Sequence, residues 1–347
     1  MTVGEKHMKN WKRFLRTDKS KRLIFLTAAT VFVAAAILSI CCGVINLTIV
    51  QLIEAIREGP GNSFAGNIFW YVRLPRTMAC MLAGAGLAIS GAVIQGVLAN
   101  KLASPGIIGV NAGAGFGVTL CCMLGAINGW AIAGSAFIGA LAAVMAVTLT
   151  AQKIGASRST VILGGVAVNS FLNAASEACI TLSPDIGIIS TDFRVGGFSS
   201  VTTARVLPAG ILIIIGIFIL CTLCNELDLM GLGEETAQGL GLSVKQMRSI
   251  FLILAALLAG AGVSFAGLLG FIGLIIPHIA RKLVGSESRY LLPFCAMFGA
   301  AFVTICDLAA RLLFRPYEVP TGILLSFIGG PFFVFLLLKN KGGHGNG

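Results

Sequence analysis

Apolar residues in this chain run in continuous blocks of about 20, parted by short polar stretches, with no sustained alternation of apolar and polar positions. The blocks fall near 23–45, 77–98, 106–126, 130–151, 160–181, 206–224, 249–268, 268–284, 291–313 and 320–338. Continuous runs of this length predict transmembrane helices, whereas barrel strands are about 10 residues long and alternate. The pattern therefore predicts an all-α polytopic membrane protein of about ten spans, with both termini on one side. The stretch 249–284 barely holds two crossings, so one of the pair is expected to be short or broken at Gly267–Gly273. A single membrane domain over 23–338 is expected, between a basic tail at 1–22 and a short tail at 339–347.

Residues 73–117 are the most informative part of the pattern. Arginines open a glycine-dense apolar run, Asn100–Lys101 breaks it, and Ser104–Pro105–Gly106 turns the chain into a second run. Glycine and alanine let membrane helices approach closely, so the segment suggests two tightly packed helices joined by a polar hairpin. Leu82-Ala83-Gly84-Ala85-Gly86 recurs as Leu258-Ala259-Gly260-Ala261-Gly262. In the ten-span topology the two copies run in opposite directions, the arrangement of an inverted repeat. Chance similarity between two Gly/Ala-rich helices explains so short a match equally well.

Composition agrees with the pattern. Of the residues, 56% are hydrophobic and 11% charged, too little polar surface for a soluble domain. The net charge of +11 does not indicate nucleic acid, because eight of 25 basic residues lie in the first 22 positions and most others lie between apolar runs. That is the distribution of cytoplasmic Lys/Arg that orients membrane proteins. It puts 18 basic residues, including every lysine, inside. The outside carries only arginines: Arg57, Arg73, Arg76, Arg194, Arg205, Arg311 and Arg315. Headgroup contact and helix-end hydrogen bonding explain them, as does an arginine face for an acidic partner.

Candidate chemistry is sparse. Most of the ten cysteines are embedded in apolar runs and read as packing residues, Cys221-x-x-Cys224 included. No cofactor and no metal site is expected. The run 23–45 is too long for a signal peptide and lacks a small-residue cleavage site. No GxxxxGK[ST] loop occurs, so ATP hydrolysis by that route is excluded. Glu177 and Asp307 are the carboxylates within or near spans, and Asp307 lies four residues before Arg311, close enough for the pair to neutralise each other. No carboxylate or histidine is expected at mid-membrane, which argues against an ion-coupled secondary carrier. A membrane-embedded enzyme has less support, since the spans hold no HExxH or paired His/Asp site. The longest cytoplasmic loop, about 225–248, combines Glu234–Glu235 with Gly239 and Gly241. It reads as a short helix, a sharp turn and a second helix forming a rigid knob for a cytoplasmic partner; a plain solvated loop is the alternative.

Ordered motifs then become specific: RLPR at 73–76, GAGLAISGAVIQG at 84–96, NKLASPGIIGVNAGA at 100–114, GEETAQGLG at 233–241, GFIGLIIPHIAR at 270–281 and EVPTGILLSFIGGPFFVFLL at 318–337. Together they resemble the FecCD-type permease subunits of bacterial ABC importers for iron–siderophore complexes, haem and cobalamin. The resemblance implies a type II ABC importer permease fold in the bacterial cytoplasmic membrane, with both termini cytoplasmic. It also implies two permease subunits, identical or paralogous, two separate ATPase subunits and an extracytoplasmic substrate-binding protein. The chain itself would be no enzyme, and ferric siderophore is the commonest cargo of such a permease. Carried over by motif, Arg73, Arg76 and Arg311 would receive carboxylates of the binding protein. Asn100, Lys101 and Leu102, with Ser159 and Thr160, would form the cytoplasmic gate. Glu234, Glu235, Gly239 and Gly241 would couple to the ATPase. Lys101 stands where the family prefers proline, and the loop 196–199 lacks a tryptophan often present there, so hairpin rigidity and charge at the inner mouth depart from the pattern.

Overall fold

A computed structural model describes residues 18–341 except 44, 46–47, 62 and 155–156. Among these the regular elements are helical. In chain order they are α1 (Asp18–Cys41), α2 (Ile49–Glu58), α3 (Phe64–Asn67) with a π-helical turn (Ile68–Arg73), α4 (Leu74–Val97), α5 (Val110–Met123) and α6 (Gly129–Ile154). Then come α7 (Arg158–Leu182), α8 (Gly187–Val195), α9 (Thr203–Thr222), α10 (Cys224–Gly231), α11 (Glu234–Gly239) and α12 (Val244–Ala266). The chain closes with α13 (Ile272–Val284), α14 (Ser288–Leu312) and α15 (Thr321–Lys341).

Among the described residues seven helices are long and apolar enough to cross a membrane, with Val110–Met123 and Thr321–Leu336 as shorter apolar helices. With α13 these match the ten expected blocks. The uncertain pair resolves as a full α12, a break at 267–271 and a short α13 of 13 residues. At 1.5 Å per residue α13 reaches only about 20 Å, short of a hydrocarbon core of about 30 Å. Large apolar side chains such as Ile214, Phe218, Phe171 and Phe327 are exposed on the outer helices, which suits lipid contact.

The core is α4, buried along most of its length and packed against α12, α13 and α14. Its two-sided burial explains its composition: alanine and glycine present backbone where bulkier residues would hold the helices apart. A β-carbon on Gly84 would collide with the backbone of Gly299, and one on Gly91 with that of Gly273.

The echoed pentapeptides meet face to face. Gly86 lies against Leu258 and Gly262 against Ala83, while the Ser90 hydroxyl donates to the Ala255 carbonyl at 2.7 Å. Rising numbers on α4 thus meet falling numbers on α12, so the copies cross antiparallel about a local two-fold. The relation extends beyond them. Gly84 abuts α14, whereas its counterpart Gly260 abuts Phe137 and Ala140 of α6. The short helices α5 and α13 each begin after a residue of positive φ, Gly109 at 103° and Phe271 at 66°. The segment before each presses on a glycine of a later span: Ile107 on Gly165 of α7, Phe271 on Gly329 of α15. Equivalent positions making equivalent contacts is what an inverted repeat requires, and chance similarity of one pentapeptide does not produce it.

Candidate functional site

The bundle has two polar ends. At one lie the expected outer arginines, at the other the described lysines that connect spans, so they are called here the arginine end and the lysine end.

At the arginine end, the π-helical turn and α4 bring Arg73 and Arg76 beside the C-terminal part of α14. The centre is Asp307, with no exposed surface. Its oxygens accept from Arg76 Nε at 3.1 and 3.2 Å and Nη2 at 3.0 Å, and from the Thr321 hydroxyl at 2.9 Å. Arg311 Nε makes an ion contact with Asp307 at 3.0 Å, as the i, i+4 spacing predicted, and Arg311 Nη2 donates to Ser39 at 2.9 Å. The remaining nitrogen of Arg76, Nη1, reaches Glu318 at 2.8 Å. Arg73 donates to the Ile40 and Cys41 carbonyls, each at 2.6 Å, and to that of Ile45. One carboxylate and three guanidiniums thereby fasten the ends of α1, α4, α14 and α15.

The three arginines expected to receive a partner's carboxylates all lie in this cluster. Arg73, Arg76 and Arg311 are buried, and each guanidinium binds internal acceptors. Helix ends in a membrane expose carbonyls that need donors, and arginine supplies several from one residue. Of the outer arginines, Arg57 and Arg315 are the exposed ones. Arg194 pairs with Glu177, and Arg205 donates to Thr202 and to the Ser200 carbonyl.

At the lysine end, the hairpin after α4 forms a tight turn. The Ala103 N–H donates to the Asn100 carbonyl at 3.1 Å, and the Leu102 N–H to the Asn100 side chain at 2.9 Å. Lys101, exposed, occupies the second position of this turn, where proline is also favoured. The Asn100 side chain therefore supplies rigidity that the missing proline put in question. Ser159 and Thr160 lie in the first turn of α7, capped by Ser157, which accepts from the Thr160 N–H at 3.1 Å. Among the described residues no hydrogen bond or ion pair joins 100–102 to 159–160. The two segments are tied deeper, where Asn169 of α7 donates to the carbonyls of Gly106 at 2.8 Å and Ile107 at 3.2 Å.

The loop expected as a knob is one: α10, Gly233 at φ 110°, α11, and Gly241 at φ 88°. It is fixed to four spans. Leu227 packs on Gly96 of α4. Asp228 caps α14, accepting from the Ser288 N–H at 3.0 Å and its hydroxyl at 2.6 Å. Arg158 of α7 donates to the Met230 carbonyl at 2.9 Å, and Arg248 of α12 binds Glu234. Glu235, Gly239 and Gly241 are exposed; Glu234 is half-buried. Asp228, Arg158 and Arg248 were missed by sequence reasoning. An acidic residue that caps a distant helix carries no local signal.

A buried helical core, an inverted repeat with two interrupted short helices, and polar ends fixed to several spans define a membrane transport subunit. The model of the FecCD transport family matches residues 31–339. The chain is 33% identical over 326 residues to the Fe(3+)-citrate import system permease protein YfmD of Bacillus subtilis (strain 168), covering 94% of this chain and 97% of that protein. It is 34% identical over 339 residues to the vitamin B12 import system permease protein BtuC of Citrobacter koseri, covering 96% and 100%. A solved structure of a metal-chelate type ABC transporter in an inward-facing conformation superposes with TM-score 0.82 at 29% identity, covering 92% of this chain and 99% of that one. The chain belongs to the FecCD transport family: it is a permease subunit of an ABC importer, with the type II importer permease fold, and is not itself an enzyme.

Proposed function

We propose that this subunit forms half of the translocation pathway of an ATP-driven importer of ferric siderophores in a bacterial cytoplasmic membrane. The lysine end and both termini face the cytoplasm, in keeping with the charge distribution. Two ATPase subunits dock there, a second permease subunit, identical or paralogous, completes the pathway, and a binding protein docks at the arginine end.

The observation that carries this reading is the knob of α10 and α11, which packs on α4 and is bonded to α7, α12 and α14. A surface loop with no mechanical task does not need attachments to four spans. Movement of the knob by the ATPase would be transmitted to α7 and, through Asn169, to the hairpin at 100–102 that serves with Ser159 and Thr160 as inner gate. At the other end Arg73 and Arg311 act by holding the docking platform. Arg76 is the exception, since its bond to the partly exposed Glu318 is one an incoming carboxylate can take over.

The iron reading is supported by near full-length similarity to Fe(3+)-citrate permeases. A cobalamin reading is favoured by comparable similarity to vitamin B12 permeases. Proteoliposomes holding this subunit, its permease partner and the ATPase, with binding protein outside and ATP inside, discriminate. Uptake of radiolabelled ferric citrate or another ferric siderophore but not cobalamin is expected. Uptake without ATPase and binding protein refutes the importer mechanism.

A further inference from the structure

The structure assigns Glu234 a role different from contact with the ATPase: we propose that it is the internal pin that couples the knob to the gate helix α7 and to α12, while Leu232 and Leu240 form the knob's docking surface. The proposal deepens the coupling reading above and rests on it.

The short helix α11 has two faces. Ala237 is buried, and Glu234, one turn earlier on the same side, keeps its side chain 39% exposed while its Oε1 atom meets the guanidiniums of the bundle. The Glu234 Oε1 atom binds Arg248 Nη2 and lies 3.8 Å from Arg158 Nε. Arg248 is buried, and its Nε and Nη1 have no hydrogen-bond partner. A buried guanidinium so placed depends on its one carboxylate, because an unpaired buried charge is costly. Arg158 is the residue next to Ser159 and Thr160, and it also holds the last turn of α10 through the Met230 carbonyl. One carboxylate therefore joins the knob to two spans, one of them the helix that carries half of the proposed gate.

The opposite face differs in chemistry. Leu232 and Leu240 flank α11 and are each 61% exposed, with Glu235 exposed between them. Two exposed leucines on the knob's tip, at an end otherwise rich in charge, suit the apolar centre of a protein interface. They fit an ATPase cleft whose floor is apolar and whose rim is basic enough to meet Glu235.

The experiment uses the whole transporter, purified through a tag on this subunit and placed in liposomes. Two quantities are read: ATPase retained per permease, and the factor by which binding protein stimulates ATP hydrolysis. That factor reports communication from the arginine end through the permease and needs no knowledge of cargo. Glu234→Gln is expected to retain ATPase within about two-fold of wild type and to lower the stimulation factor at least five-fold. Arg158→Met, which removes both contacts of α7 with the knob, to Glu234 and to the Met230 carbonyl, and leaves buried Arg248 paired, is expected to lower it likewise, so the test survives if Glu234→Gln folds poorly. Leu240→Asp is expected to lose the ATPase. Loss of ATPase by Glu234→Gln equal to that of Leu240→Asp, or wild-type stimulation in both Glu234→Gln and Arg158→Met, overturns the pin. A wild-type subunit that retains no ATPase overturns the coupling reading itself, and the pin with it.

Discussion

Neutralising Asp307 should be the most damaging isosteric change at the arginine end. Its carboxylate is fully buried, accepts from Arg76 and Thr321, and makes an ion contact with Arg311. In Asp307→Asn the shape is kept, but two guanidiniums face a neutral amide whose nitrogen is itself a donor. Arg76 retains Glu318, and Arg311 retains only Ser39 and a long 3.4 Å contact to the Cys42 carbonyl. Breaking a buried ion pair from one side costs about 3–5 kcal/mol. For a large domain 1 kcal/mol moves Tm by about 2–4 °C, so a fall of order 10 °C is expected. The assay is thermal unfolding of the purified subunit in detergent, followed by tryptophan fluorescence. The double variant Asp307→Asn/Arg311→Met removes one cation with the anion and leaves the Arg76–Glu318 pair. It should therefore recover about 1–3 kcal/mol relative to additivity. A single variant within about 1 °C of wild type, or strictly additive double-variant losses, would refute the view that Asp307 is the electrostatic centre of this end.

Other changes follow from the same geometry. Gly91→Ala places a methyl into the backbone of Gly273, so a loss of about 1–3 kcal/mol in the same melt is expected. Lys101→Pro substitutes the second position of a hydrogen-bonded turn and should raise stability by about 0.4–1 kcal/mol, read as a small increase in Tm. Thr48→Ala removes the capping box with Gln51 at the start of α2. It should cost about 1 kcal/mol of local helix stability, seen as faster amide exchange over 49–58.

The spans and the knob were legible in the sequence because each rests on local information: apolar block length for one, glycine spacing around Glu234–Glu235 for the other. The break before α13 was legible both as a shortage of residues and in its place between Gly267 and Gly273, though not the left-handed turn at Phe271. Helix α2 was missed although Thr48-x-x-Gln51 carries a capping signature before an apolar repeat. Its exposed Val50, Ile53 and Ile56 make a single apolar face on a helix of 10 residues, too short to give a block of spanning length. Burial of Arg73, Arg76 and Arg311 was not legible. Whether an arginine faces a partner or a carbonyl depends on where residues more than two hundred positions away come to lie, as Arg76 and Asp307 do.

The charge at the two ends follows from the same contacts. The seven arginines at the arginine end are matched by seven carboxylates in the same segments: Glu54, Glu58, Glu177, Asp185, Asp192, Asp307 and Glu318. Those segments are therefore neutral in sum, and the net charge of +11 belongs to the rest of the chain. A docking partner thus meets no broad positive field, and long-range steering toward the arginine end should be weak. Under the proposed docking, recognition there acts at short range, by exchange of one carboxylate for another, and the Arg76–Glu318 pair is where that exchange is cheapest. Asp307 cannot be exchanged without leaving two buried cations. Glu318, with its side chain 34% exposed, can swing to water while an incoming carboxylate takes its place. Removing Glu318 should therefore strengthen capture of a partner carboxylate, whereas removing Asp307 should destroy the platform on which it is captured.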